Sequence, residues 1–159
     1  MSDVHYRVME PDEVAGVSAL ILAAFDEFVG PEYTPQGVEE FQKYVQPDAL
    51  AERTAQDHFV LVAARGGELV GMIEMRQNNH VALLFVDKRA QGHGIARGLL
   101  DHALAAARSK MPELERVTVN SSRYGVPAYE KLGFRQTGHE RAVNGIVFIP
   151  MAKRLEGVA

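Results

Sequence analysis

The chain has 159 residues, no cysteine and a formal net charge of −4 at pH 7. That length suits one domain, expected to cover residues 1–159 with a full core, and the missing cysteines exclude a disulfide scaffold, thiol catalysis and a cysteine-based zinc site. The acidic balance speaks against a nucleic-acid surface, the longest apolar stretch, Ala15 to Phe25, is too short to span a bilayer, and "MSDVHYRVMEPDE" holds no apolar signal core, so a soluble cytoplasmic protein is expected.

Val4 to Met9 reads as a strand stopped at Glu10-Pro11, where proline suits the first turn of a helix. Val14, Val17, Leu20, Ile21, Ala24, Phe25 and Phe28 then recur at helical spacing, and Gly30-Pro31 ends that helix. Pro35 to Val45 reads as a second, more polar helix broken by Pro47. The period changes at "HFVLVAAR" and "ELVGMIEMRQ", two strands joined by the hairpin signal Gly66-Gly67. A turn at Asn78-Asn79 leads into "HVALLFV", a strand buried on both faces. A helix carrying Ile95, Leu99, Leu100, Ala103, Leu104 and Ala107 follows, then the strand "RVTVNSS" and a short helix from Pro127 to Leu132 closed by Gly133. The tail "GIVFIPMAKRL" is a final strand, and Pro150 inside it points to an edge or a bulge.

The segment between the buried strand and the long helix, "DKRAQGHGIARGLL", carries Gly92 and Gly94 at the helix mouth. The first amides of a helix lack internal partners and sit at the positive end of its dipole, so a glycine-bearing start is an anion site. The same glycines are also what a loop needs merely to turn a corner, and local sequence leaves both readings open. Among phosphate-binding loops, the nucleotide P-loop fails because Ile95-Ala96 follow Gly94. The dinucleotide fingerprint fails because its third glycine falls on Arg97; a nucleotide binder is thereby disfavoured.

What remains, Gln91-Gly92-His93-Gly94-Ile95-Ala96, resembles the Q/R-x-x-G-x-G/A motif of the GNAT superfamily of N-acetyltransferases. "AYEKLGF", Ala128 to Phe134, resembles that family's second signature, a tyrosine helix ending in Leu-Gly-Phe, and the order of elements before it matches as well. The resemblance implies a mixed α/β fold of six to seven mostly antiparallel strands, about four helices and a splayed parallel central pair. It also implies acetyl-CoA as cosubstrate, with no metal, and a primary amine as acceptor, from a small molecule to a protein lysine. Relatives that pair through their last strands make a homodimer an expectation too. Two departures, Lys88 and Ala90 before the loop and Ser122 and Gly125 before the tyrosine helix, touch the details of cofactor contact.

Carried over residue by residue, the resemblance places the pyrophosphate on Gln91, Gly92, His93, Gly94, Ile95 and Ala96, with Arg97 toward the 3′-phosphate. Phe85 and Val86 would offer backbone groups to the pantetheine arm, Val86 N–H polarising the thioester carbonyl, and Asn120 would reach a pantetheine amide. Tyr129 is the general acid, since a phenol with a pKa of about 10 stays protonated and can serve a departing thiolate. His80 is the candidate base, because an imidazole accepts a proton near neutrality; a water chain is the alternative. Glu74 stands behind it, with a solvated outward-facing position as its plainer reading. Asp26, Glu27, Glu32, Glu39 and Glu40 either favour a cationic amine or form a solvated face. A non-catalytic acyl-CoA sensor is the competing function; it needs neither Tyr129 nor His80.

Overall fold

In the computed structural model, which describes residues 3–155, eight strands form a mostly antiparallel sheet with five α-helices packed on its two faces. The chain enters through β1 (Val4–Val8) and a 3-10 turn, then α1 (Val14–Phe28), α2 (Pro35–Tyr44) and α3 (Pro47–Thr54). Three strands follow, β2 (His58–Arg65), β3 (Glu68–Arg76) and β4 (His80–Val86), then α4 (Ile95–Lys110) and β5 (Arg116–Ser121). The short helix α5 (Val126–Lys131) precedes β6 (Arg135–Gln136), β7 (Arg141–Val143) and β8 (Ile146–Arg154). Sheet order is β1-β2-β3-β4-β5-β8-β6, with β7 on β8. Gly66 and Gly67 both take positive φ, 58° and 83°, as a two-residue hairpin between β2 and β3 demands.

The expected mixed fold is present, with three elements that the sequence reading lacks. Pro47 starts α3 instead of breaking the chain: it occupies the first helical turn, where its missing N–H has no intrahelical partner to lose. β6 and β7 are two and three residues long and exposed, too short to show a period. Pro150 is not at an edge, because β8 lies between β5 and β6. Its carbonyl accepts Thr137 N–H, so its missing donor also faces the β6 side, where pairing with β8 ends after two residues.

The two faces have separate cores. Ile21, Phe25, Phe41, Leu50, Val62 and Met72 pack under α1–α3, while Leu99, Leu100, Ala103, Val117, Val119 and Phe134 pack around α4 and α5. Strand β4 serves both: Leu83 and Phe85 belong to the first cluster, and Val81, Leu84 and Val86 to the second.

One irregularity in β4 opens the sheet. Glu74 opposes Leu83 and Met75 opposes Val81, so Ala82 is an extra residue, a bulge. The parallel pairing of β4 with β5 covers only His80 and Val81 against Thr118 and Val119. Beyond the bulge the two strands share no ladder. The centre of the sheet is therefore a fork, closed at His80 and open toward Val86.

Candidate active site

The open end of the fork is a cleft of about 1110 Å³ lined by β4, the glycine loop, the starts of α4 and α5, and the α1–α2 segment. A single small-ligand site occupies roughly 300–1000 Å³, so the cleft has room for more than one small molecule.

The glycine loop is held at both ends by buried anchors, Ala90 and Ile95. Asp87 accepts the Arg89 amide and guanidinium, fixing the turn out of β4. Gly92 and Gly94 adopt φ of 83° and 75°, and a Cβ on either would meet no protein atom within 4 Å. Backbone conformation, not crowding, is what requires glycine here. The first helical bond runs from Gly98 N–H to Gly94 O, which leaves the amides of Ile95, Ala96 and Arg97 without helical acceptors at the positive end of a 16-residue helix. These groups fit a diphosphate. His93 is exposed and lies outside the cleft lining; only its backbone belongs to the loop. Arg97 lines the cleft and donates to Lys131 O at 2.8 Å, tying the start of α4 to the end of α5.

The fork edge supplies the next donors. Asp87 N–H bonds Val70 O on β3, and peptide groups alternate sides along a strand. Phe85 therefore turns its N–H and C=O toward β3, where its oxygen would lie 3.2 Å from a Cβ on Gly71. Leu84 and Val86 present theirs to the open side. Phe85, expected to offer backbone groups, thus turns them to β3, and Leu84, not singled out in the sequence, presents its own to the open side. Gln91 Nε2 donates to Val86 O at 3.2 Å, and the Val86 N–H points to the same open side. Asn120, at the end of β5, is exposed on the cleft wall, and its side chain has no protein partner among the described residues.

Tyr129 stands opposite. Its ring meets Phe134 edge-on at 5.3 Å and packs behind the Gly125 turn, where a Cβ would lie 3.3 Å from Cε2 and 2.8 Å from Ser121 Oγ. The glycine there admits the ring. Burial pushes its phenol up, keeping it protonated, and the hydroxyl has no protein hydrogen-bond partner among the described residues. Loop, open β4 edge at Val86, Asn120 and phenol thus line one cleft.

His80 does not join them. It sits at the closed end of the fork, buried, with Nδ1 2.7 Å from Thr118 Oγ1, and is absent from the cleft lining. Five residues of strand, one of them the bulge, separate it from Val86, at most about 20 Å at 3.3 Å per residue. Desolvation, helped by Arg76 and His58, lowers its pKa to about 4, so it stays neutral and bound to threonine. Glu74 is not solvated either. It is fully buried, clasped by Arg53 through Nε at 2.7 Å and Nη2 at 3.0 Å, and His58 Nδ1 donates to the same carboxylate. Arg53 also donates to Tyr44 O and lies 3.7 Å over the Tyr44 ring. This cluster, invisible in sequence because its members come from α2, α3 and two strands, clamps α3 to the sheet.

The remaining wall is aromatic. Phe28 and Tyr124 rings meet at 4.9 Å and Phe41 and Phe85 at 6.0 Å, with Tyr33 beside them in the lining. Burial, with Glu32 adding, pushes the Tyr33 phenol to about 12. Of the five acidic residues weighed in the sequence, Glu32 alone lines the cleft. In sequence Phe28 belongs to a helix face and Phe85 to a strand; their convergence with Tyr33, Phe41 and Tyr124 is tertiary.

Comparison with known proteins agrees with this geometry. The profile of the acetyltransferase (GNAT) domain matches residues 29–155, so the chain belongs to the GNAT acetyltransferase family, whose members bind acetyl-CoA and an acceptor substrate. It is 26% identical over 137 residues to the peptidyl-lysine N-acetyltransferase YjaB of Escherichia coli (strain K12), covering 83% of this chain and 80% of that one. It is 30% identical over 108 residues to N-acetyltransferase family 8 member 2 of Rattus norvegicus, covering 62% of this chain but only 45% of the relative. Among solved structures, a GCN5-related N-acetyltransferase from Rhodopseudomonas palustris superimposes with a TM-score of 0.83 at 21% identity, over 98% of both chains. The PaiA N-acetyltransferase of Thermoplasma acidophilum, solved with coenzyme A, gives 0.81 at 15% identity, over 96% of this chain and 99% of that one. No group of three or more His, Cys, Asp or Glu suited to a metal occurs among the described residues, and no helix there is long and apolar enough to cross a membrane.

Proposed function

We propose that this chain transfers an acetyl group from acetyl-CoA directly to a primary amine, with Tyr129 as general acid. The observation that carries the reading is the convergence, in one cleft, of the glycine loop, the open edge of β4 at Val86 and a Tyr129 hydroxyl without a partner among the described residues. Bound acetyl-CoA would supply an activated acyl thioester. The amides from Gly92 to Arg97 would hold its diphosphate, and Leu84, Val86 and Asn120 its pantetheine arm.

In the transfer a C–N bond forms and a C–S bond breaks. The Tyr129 phenol gives its proton to the departing sulfur. The position of His80, outside the cleft and neutral, supports water over this side chain as acceptor of the amine's proton, and water then returns a proton to Tyr129. The rate should therefore rise with pH through the ionisation of the acceptor amine, without an imidazole inflection. The test is release of free thiol from acetyl-CoA across a panel of primary amines. Amine-dependent release that Tyr129→Phe suppresses is the expected result. Tight acetyl-CoA binding without turnover on any amine would refute it and favour a sensor.

A further inference from the structure

We infer that the acceptor is a small primary amine presented as a cation on an apolar body, and that Glu32 receives its ammonium; this rests on the acetyl-transfer reading for what happens after binding. The cleft carries charges of both signs. Its cationic lining residues are Arg97 and Lys131, on the α4–α5 side, and Arg123, whose guanidinium is taken up by both oxygens of Glu140. Glu32 is the sole carboxylate among the described lining residues; it comes from the α1–α2 segment, and Arg123, beside Tyr124, is near enough to feel its charge.

Glu32 is held in place. Its Oε1 accepts the Tyr124 N–H at 3.2 Å, bridging the α1–α2 segment to the turn before α5. Its Oε2 has no hydrogen-bond partner among the described residues. That same Tyr124-Gly125 turn carries the Tyr129 ring on its other side, so the carboxylate and the phenol flank one short piece of backbone. Tyr33 adjoins Glu32 in the chain, Tyr124 bonds it and Phe28 packs on Tyr124, while Phe41 and Phe85 line the same cleft. Ring faces and a fixed carboxylate attract one ligand type: a cation with an apolar skeleton. A carboxylate-bearing acceptor would meet Glu32 with like charge. A long polyamine would leave its further ammonium groups desolvated among rings.

The test separates binding from turnover. Wild-type protein saturated with coenzyme A, which has no acetyl group to transfer, is titrated calorimetrically with 2-phenylethylamine and with 3-phenylpropionate. The amine should bind and the acid should not. Glu32→Gln, whose amide oxygen can still accept the Tyr124 N–H, should weaken amine binding by roughly tenfold to a hundredfold, the scale of a charge-assisted bond. Coenzyme A affinity should not change, and Glu32→Asp, which keeps the charge, should recover part of the loss. In turnover, Glu32→Gln should raise the KM for amine and spare that for acetyl-CoA. Failure of the amine to bind wild type, or equal binding by Glu32→Gln, overturns the inference. Binding as expected with no thiol released from acetyl-CoA leaves Glu32 in its role and rejects the transfer reading instead.

Discussion

Mild acid should weaken this protein through His80 before carboxylates contribute. The imidazole is buried at the closed end of the fork, bonded to Thr118, and desolvation lowers its pKa from 6.5 to about 4. Below 6.5 the unfolded chain therefore binds a proton that the native ring refuses. Stability is full above that pH and falls as pH drops toward about 4. The gap is worth about 3 kcal/mol in the limit, and about 2 kcal/mol of it is gone by pH ~4.5. Glu13, held at about 2 by Arg7 and a backbone hydrogen bond, shifts in the other direction and gives up its contribution only below about 4.5, so the window between belongs to His80. With a urea slope of about 2 kcal/mol per molar, the unfolding midpoint of wild type should drop by about 1 M between pH ~7 and pH ~4.5. His80→Gln, which can still meet Thr118 but does not titrate, should lose far less over the same interval. Parallel losses in the two proteins would refute the reasoning. Acetyl transfer by His80→Gln at neutral pH should stay close to wild type, which an imidazole base would not allow.

Tyr129→Phe removes the proton donor and keeps the ring against Phe134, so turnover should fall at least about 100-fold while coenzyme A affinity and unfolding midpoint hold; a small rate change would remove the acid role. Gly94→Val puts a β-branched residue at a φ of 75°, at a cost of about 1–3 kcal/mol in strain, and sets a side chain in the open space where a diphosphate would approach. Calorimetry should show coenzyme A binding weakened by more than the stability loss explains. Glu74→Gln leaves Arg53 and His58 facing a neutral partner in a buried site, so denaturant unfolding should show a loss of about 3 kcal/mol or more. Since the cluster lies outside the cleft, the KM for acetyl-CoA in that variant should barely move.

Much of this protein was legible in the chain because the relevant physics is local. Gly92 and Gly94 before an apolar helical stripe specify a left-handed turn with free amides, whatever surrounds them. "AYEKLGF" specifies a short helix with a tyrosine on it, and Gly66-Gly67 a tight hairpin. The rest depended on registers that no local pattern encodes. The extra residue Ala82 sets which peptide groups of β4 face the cleft, so Phe85 and Leu84 exchange roles. It also decides where the fork closes, which keeps His80 out of the cleft lining. Glu74 looked solvated because its partners, Arg53 and His58, lie 21 and 16 residues away and reach it only after α3 docks on the sheet. Glu32 looked like one acid among five until the fold turned the other four away and brought Tyr124 to it from 92 residues distant. Backbone conformation is written residue by residue; which side chains share a cavity is settled only when strands pair and helices choose a face.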